Sequence, residues 1–215
     1  MTALVIFDCD GVIVDSEPLA NAVLHARLVA LGLDLTLEDS ATRFTGLTMA
    51  DCVTLIEARL GRAVPDDFVA RVRRETKAAF DDALTPVGGI VEVLARLAKP
   101  FCLASSGSHE KIRHSLRLTG TDRYFDGDRI FSAQDVAAGK PAPDLFLHAA
   151  ACLGVPPGRC VVVEDSVPGV LAGVAAGMRV FGYAARTPSR QLEAAGATVF
   201  RNMDRLPTLL ETGPR

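Results

Sequence analysis

The sequence predicts an α/β protein with a Rossmann-like, three-layer core around a parallel sheet and a helical domain inserted after the first strand. From residue 86 onward, short apolar runs alternate with segments of helical periodicity, which is the pattern of βαβ units. Residues 16–83 have helical periodicity without a strand signal. We therefore expect an α/β core of residues 1–15 and 84–215 and a helical cap domain of residues 16–83.

Runs rich in Val and Ile define the expected strands, and apolar residues at helical spacing define the expected helices. Gly32 and Gly177 follow two helix ends, and Pro65 precedes a helix start. The strands are expected at residues 3–7, 101–104, 129–131, 160–163, 179–182 and 198–200. The helices are expected at residues 19–31, 38–44, 49–60, 66–84, 90–97, 109–118, 145–153, 167–176, 191–195 and 205–210.

The composition is that of a soluble globular protein rather than a disordered one. The chain has 215 residues, of which 49% are hydrophobic and 23% charged, with a net charge of −3. There is no basic stripe of the kind that binds nucleic acid and no apolar run of transmembrane length. Five cysteines without a CxxC motif are expected to be free thiols in a reducing compartment. Since the chain begins directly with a strand, we expect a cytoplasmic protein without a leader. A monomer is expected as well.

Two carboxylates, Asp8 and Asp10, follow the first apolar strand. Side chains alternate along a strand, so both carboxylates leave its end on one side. Close carboxylates repel each other unless a cation lies between them or one keeps a proton. A hard divalent cation, which prefers oxygen ligands, could lie between these two. Gly11 then permits a turn that other residues resist. An ordinary Asp-rich turn is the alternative explanation.

Three further polar segments are expected at the same edge, because the carboxyl ends of parallel strands meet there. Ser105 and Ser106 precede a helix, where hydroxyl and amide groups can bind an anion, although Ser108 could simply cap that helix. Lys140, between Gly and Pro, is either rigidly placed at the site or an ordinary surface lysine. An acidic pair at 164–165 follows a fully apolar strand and would favour a metal or cap a helix.

This set of groups suits phosphoryl transfer to a carboxylate nucleophile. One aspartate attacks phosphorus, the lysine and a metal neutralise the phosphoryl oxygens, and the other aspartate transfers the proton. Strong charge stabilisation is required, since phosphate monoester hydrolysis is among the slowest uncatalysed reactions.

Four segments, DCDGVIVDS at 8–16, LASSGS at 103–108, GKPAPDLF at 139–146 and VVEDSVPG at 162–169, follow one another in this order. Their sequences and spacing resemble the motifs of the haloacid dehalogenase superfamily, in particular its phosphatases and phosphomutases with a helical cap. The resemblance covers essentially the whole chain. It implies that Asp8 is the nucleophile that becomes an aspartyl-phosphate and that Asp10 is the general acid and then the base. It also implies that Ser105, the backbone of Ser106 and Lys140 hold the phosphoryl group.

The resemblance further implies a Mg²⁺ site and a moving cap. Asp165 would bind Mg²⁺ together with Asp8 and the Asp10 carbonyl, and Glu164 would act from the edge of this metal site. Residues 11–15 would be the hinge, and residues 16–83 would be the cap that closes and excludes water.

Differences between this chain and other members of the superfamily indicate which branch it resembles most. Its dehalogenases and its phosphonate-cleaving members lack an aspartate at the position of Asp10, so both resemble this chain less. A sugar phosphomutase similar to β-phosphoglucomutase is the main alternative function. That family usually has a histidine where this chain has Ala20 and an arginine where it has Met49. A binding module on an inactive hydrolase fold is a further alternative, but such modules usually lose Asp8, Asp10 or Lys140.

The expected substrate is a small phosphorylated metabolite, a sugar phosphate or a sugar-acid phosphate. The segments RFTG, FLHAA and AGMRVFGY resemble bacterial 6-phosphogluconate phosphatases, which makes 6-phosphogluconate a candidate substrate. Arg43 could bind a carboxylate through a bidentate pair, or it could be a surface arginine. Gly46 and Thr48 in the same loop, and Lys77 on a later helix, are the other candidate specificity residues, and Lys77 could equally be a solvated helix residue.

Overall fold

The chain forms two compact units in the computed structural model, which describes residues 2–45 and 47–211. One unit comprises residues 1–15 and 85–215, and the other comprises residues 16–84. The expected boundary assigned Leu84 to the core, whereas the structure groups it with the inserted unit. The reason is local: the Leu84 amide donates to the Phe80 carbonyl and ends the last helix of that unit.

The core contains a six-stranded parallel sheet, as the sequence predicts. Its strands are β1 (Leu4–Phe7), β2 (Phe101–Ser105), β3 (Ile130–Ser132), β4 (Cys160–Glu164), β5 (Arg179–Tyr183) and β6 (Thr198–Phe200). Their order is β3-β2-β1-β4-β5-β6. Val5 of β1 lies opposite Phe101 of β2 on one side and Val161 of β4 on the other. The first strand is therefore central, and its carboxyl end lies between those of β2 and β4.

Ten helices are described, and each overlaps an expected one. They are α1 (Glu17–Ala30), α2 (Leu37–Phe44), α3 (Met49–Leu60), α4 (Phe68–Ala83), α5 (Ile90–Arg96), α6 (His109–Leu118), α7 (Asp144–Cys152), α8 (Val167–Ala175), α9 (Ser189–Ala194) and α10 (Leu206–Glu211). The differences lie at helix ends. The expected helix 66–84, for example, begins at Phe68, whose amide donates to the Pro65 carbonyl in a preceding turn. Short 3₁₀ turns, among them Ala133–Asp135, were not predicted.

Side chains of β1 alternate between two apolar layers. Leu4 and Ile6 belong to a buried cluster with residues of α7, α8 and α9. On the opposite face, Phe7 packs edge-to-face against Phe101, and Phe101 packs against Phe125. The sheet is thus buried on both faces, which explains why its strands read as continuous apolar runs.

The inserted unit has an apolar core of its own. Residues from α1, α2, α3 and α4 form this second buried cluster, namely Leu24, Leu28, Phe44, Cys52, Ile56, Phe68 and Val72. The helical periodicity of residues 16–83 is thereby explained, because each helix turns one apolar stripe toward this cluster.

The chain leaves the core and re-enters it along two adjacent segments. Val14 forms an antiparallel bridge with Pro86, and the Val87 amide donates to the Ile13 carbonyl. The Arg186 guanidinium contacts both carboxylate oxygens of Asp15, at 2.6 and 2.8 Å. The outgoing segment is therefore tied to the core at its last residue.

All five cysteines are free thiols, and all except Cys152 are buried. None of the described helices combines the length and the apolar character that a membrane span requires.

Candidate active site

A tight turn at the end of β1 positions Asp8 and Asp10. The Asp8 amide donates to the Val163 carbonyl of β4, and the Ile13 and Val14 amides both donate to the Cys9 carbonyl. Asp8 is buried, whereas the side chain of Asp10 is 30% exposed. The turn places the two carboxylates at the centre of the sheet edge, as the sequence predicts.

Two features of the structure require glycine at position 11. Its φ of +76° lies in the left-handed region. A Cβ at this position would also overlap the carboxylate of Asp165. The close approach of the β1 turn to the segment after β4 therefore depends on the missing side chain.

Lys140 connects the carboxyl ends of three neighbouring strands. Its Nζ donates to Asp8 Oδ1 at 2.5 Å, to Glu164 Oε1 at 2.7 Å and to the Ala104 carbonyl at 3.2 Å. Its side chain is 5% exposed. Lys140 itself comes from the loop that leads into α7, well beyond the end of β3 at Ser132. The long side chain reaches the sheet edge from there.

Glu164 is fully buried and hydrogen-bonded through both oxygens. Oε1 accepts from Lys140, while Oε2 accepts from the Asp165 amide at 2.9 Å, the Ser166 amide at 2.8 Å and the Ser166 hydroxyl at 2.9 Å. Ser166, rather than an acidic residue, caps α8 by accepting from the Gly169 amide. Glu164 therefore holds Lys140 and shapes the turn after β4.

Three carboxylates form a cluster that fits a divalent cation. Oxygens of Asp8, Glu164 and Asp165 lie within 4.8 Å of one another, and all three residues are buried. Burial raises the pKa of Asp8 to about 7, although the Lys140 ammonium opposes this shift. A single ammonium thus does not balance the buried negative charge. Hard oxygen donors in this arrangement are those that Mg²⁺ and similar cations prefer.

The serine turn after β2 begins with a buried hydroxyl. Ser105 is buried and accepts from the Gly107 amide at 3.1 Å, whereas Ser106 is exposed. The Ser108 hydroxyl accepts from the Lys111 amide and caps α6, which confirms the capping prediction. The turn and the start of α6 hence present amide groups at the same edge as Asp8.

Contacts to the segment after β3 fix this serine turn. The Ser132 hydroxyl donates to the Gly107 carbonyl at 2.6 Å. The His109 amide donates to Gln134 Oε1, and His109 Nε2 lies 2.8 Å from Asp135 Oδ1. Burial opposes ionisation of Asp135, but its hydrogen bonds with His109 and Ser132 prevail and lower its pKa. The turn is thus held on both sides.

Sequence analysis missed Lys111, the third helical residue of α6. Its Nζ donates to Asp10 Oδ2 at 2.7 Å. Partial burial lowers the pKa of Lys111, but the Asp10 carboxylate outweighs this effect and raises it above the ordinary value. The sequence signal was weak, because a lysine in the first turn of a polar helix is ordinary. Only the position of Lys111, three residues after the Ser108 cap, could have indicated that its side chain lies near the site.

The remaining candidates lie in the inserted unit. Arg43 is exposed in the last turn of α2, and Thr48 caps α3 by accepting from the Asp51 amide. Lys77 is 58% exposed and pairs with Asp81 one turn later in α4. Gly46 lies outside the described residues.

Comparisons with known proteins find similar sequences and similar solved structures. A family model described as haloacid dehalogenase-like hydrolase matches residues 2–177. The chain is 31% identical over 206 residues to 6-phosphogluconate phosphatase of Escherichia coli, covering 95% of this chain and 93% of that one. It is 33% identical over 178 residues to hexitol phosphatase B of the same species, covering 81% and 80%. A solved hydrolase from Deinococcus radiodurans with bound phosphate and sodium has a TM-score of 0.85 and 32% identity, covering 97% and 95%.

Proposed function

This chain belongs to the haloacid dehalogenase-like hydrolases, and we propose that it is a Mg²⁺-dependent phosphatase that hydrolyses a small phosphorylated metabolite through an aspartyl-phosphate on Asp8. One observation carries the proposal. The Asp8 carboxylate stands at the end of the central strand, in direct contact with the buried Lys140 ammonium and next to Asp165. The serine turn that would hold a phosphoryl group ends the neighbouring strand.

In the first half of the reaction, an Asp8 oxygen attacks phosphorus. The new bond joins this oxygen to phosphorus while the bond between phosphorus and the leaving-group oxygen breaks. Asp10 donates a proton to the leaving oxygen, so the product departs as an alcohol. Asp10 is the more exposed of the two carboxylates, as a group that exchanges protons with substrate and water requires.

In the second half, water attacks the phosphorus of the aspartyl-phosphate. Asp10, now a carboxylate, takes a proton from this water, and the bond between phosphorus and the Asp8 oxygen breaks. Inorganic phosphate leaves, and both aspartates return to their starting states. One substrate and one water thus give one alcohol and one phosphate.

Positive charge and amide groups stabilise the phosphoryl oxygens in both halves. Lys140 donates from one side, and Ser105 with the Ser106 backbone donates from the other. Glu164 keeps the ammonium in place through its 2.7 Å contact. Such preorganised donors are worth more in a buried site than in water.

The carboxylate cluster would hold the divalent cation through Asp8 and Asp165, together with the Asp10 carbonyl. Glu164 also lies in the cluster, but its four hydrogen bonds favour a role in holding Lys140. When bound, Mg²⁺ supplies positive charge that offsets repulsion between the nucleophile and the phosphoryl oxygens.

The proposed substrate class is sugar phosphates and sugar-acid phosphates, with 6-phosphogluconate as a candidate. Two of the relatives carry the names 6-phosphogluconate phosphatase and hexitol phosphatase B. Arg43 is the proposed carboxylate-binding residue, because its guanidinium is exposed and has the matching geometry. Lys77 is a weaker candidate, since Asp81 already accepts from its ammonium.

Phosphate release from a panel of sugar phosphates and phosphorylated sugar acids tests the proposal. The panel is run with and without Mg²⁺, for the wild type and for Asp8→Asn. We expect Mg²⁺-dependent release that disappears in the variant. Conversion of β-glucose 1-phosphate to glucose 6-phosphate without release of phosphate would instead identify a mutase.

A further inference from the structure

We propose that Lys111 is a positioning residue for catalysis, whose ammonium holds the carboxyl group of Asp10 in its working place in both halves of the reaction. The inference rests on the proposed acid and base role of Asp10. The observation that carries it is the 2.7 Å contact between Lys111 Nζ and Asp10 Oδ2, which joins residues 101 positions apart.

The lysine is well placed to act as a support. Its backbone amide donates to the Ser108 hydroxyl at the start of α6. Its side-chain stem crosses the serine turn, since a Cβ on Gly107 would lie 3.3 Å from Lys111 Cδ. The turn itself is fixed by the Ser132 hydroxyl. The ammonium therefore extends from a rigid base.

Asp10 needs such a support more than Asp8 does. Asp8 is buried and hydrogen-bonded to Lys140, whereas the Asp10 side chain is 30% exposed. When both side chains are ionised, their charges repel each other, and this repulsion favours a rotation of the exposed one toward solvent. The Lys111 ammonium opposes that rotation. Lys140 cannot replace it, because its contacts are with Asp8, Glu164 and the Ala104 carbonyl.

A misplaced Asp10 should slow the enzyme by an amount that depends on the leaving group of the substrate. Loss of folding or of phosphate binding would slow it equally on all substrates. A sugar alcohol is a poor leaving group and needs a proton as its bond to phosphorus breaks, whereas 4-nitrophenolate leaves without one. A positioned general acid contributes roughly 10²- to 10⁴-fold. Loss of the support should therefore impair sugar phosphates far more than 4-nitrophenyl phosphate.

The test compares kcat and KM of Lys111→Met on both substrates, using the sugar phosphate that the wild type hydrolyses best. We expect kcat/KM for the sugar phosphate to fall ~10- to 100-fold and that for 4-nitrophenyl phosphate to fall less than about 5-fold. The loss should lie in kcat rather than in KM. Lys111→Arg should restore most of it. Arg113→Met removes an exposed charge from the same helix and serves as the matched control.

Either of two results would give Lys111 a different role and so overturn the inference. Equal losses on both substrates, with a lower midpoint of urea unfolding, would make Lys111 a structural residue. An equal rise of KM on both substrates at unchanged kcat would make it a phosphate-binding residue. Asp10→Asn separates this inference from the proposed function. If that variant shows the leaving-group effect and Lys111→Met does not, only the inference fails; if Asp10→Asn keeps full activity, the proposed role of Asp10 fails.

Discussion

Replacing Gly169 by alanine should disrupt the support of the buried lysine. Gly169 lies in the first turn of α8, directly against the Glu164 carboxylate. A Cβ there would lie 2.5 Å from Oε2 and closer still to Oε1, whereas real Cβ atoms essentially never approach other atoms within 3.0 Å. Since helix backbone and sheet are both packed, the carboxylate has to move, and its four hydrogen bonds of 2.7–2.9 Å are lost or lengthened.

The expected effect has an unusual sign. Alanine in place of glycine within a helix normally stabilises a protein by up to ~1 kcal/mol. Breaking a buried, hydrogen-bonded charge network costs ~3–5 kcal/mol. We therefore expect Gly169→Ala to lower the free energy of unfolding by ~2–4 kcal/mol, and to reduce phosphate release because Lys140 loses a fixed partner.

Urea unfolding and phosphate release measure the two effects. Gly158→Ala is the matched control, because a Cβ at Gly158 meets nothing within 4 Å; its stability should stay within ~1 kcal/mol of wild type. A Gly169→Ala variant with wild-type stability and activity would refute the assignment of Glu164 as the residue that holds Lys140.

Three further predictions concern charges in and around the site. Lys140→Met removes the ammonium that contacts two buried carboxylates. The free energy of unfolding, measured with urea, should fall by ~3–5 kcal/mol, and phosphate release should fall by at least ~10²-fold. A variant as stable as wild type would contradict this prediction. In thermal unfolding, Mg²⁺ at 100 times its dissociation constant should stabilise the wild type by ~2.7 kcal/mol. Asp165→Asn should lose most of this stabilisation by Mg²⁺. If Mg²⁺ stabilises the variant as much as the wild type, the cation binds elsewhere. Arg186→Gln removes a pair whose side chains are 41% and 34% exposed, so its cost in urea unfolding should stay below ~1 kcal/mol; a larger loss would show that the pair with Asp15 does more than a surface contact.

Elements could be predicted from the sequence where apolar periodicity marks them, and site residues could be predicted where polar side chains follow a strand. The six parallel strands and the helices could be predicted because burial imposes their apolar patterns, and Asp8 and Asp10 follow an apolar run that indicates a buried central strand. The acidic pair at 164–165 could be placed at the same edge for the same reason. Helix boundaries differ from the expected ones: Phe68 begins α4 two residues after the expected start, because the preceding acidic residues form a turn.

Long-range side-chain contacts could not be predicted from local patterns. Lys140 reaches Asp8 from a loop well beyond the end of β3, so this contact depends on how that loop folds. The contact of Lys111 with Asp10 spans 101 positions, and nothing in the polar start of α6 distinguishes this lysine. Glu164 was expected at the edge of a metal site, whereas its hydrogen bonds depend on three-dimensional packing around Gly169. Such roles become visible only when distances are known.

The most direct test of the account traps the phosphoryl group on the protein. The enzyme is mixed with its best sugar phosphate and Mg²⁺, quenched in acid during turnover and reduced with borohydride, which converts an aspartyl-phosphate to homoserine. Peptide mass spectrometry then locates the modified residue. We predict homoserine at position 8 in the wild type and none in Asp8→Asn. Turnover with homoserine at another aspartate, or with no modified aspartate at all, would contradict the assignment of Asp8 as the nucleophile.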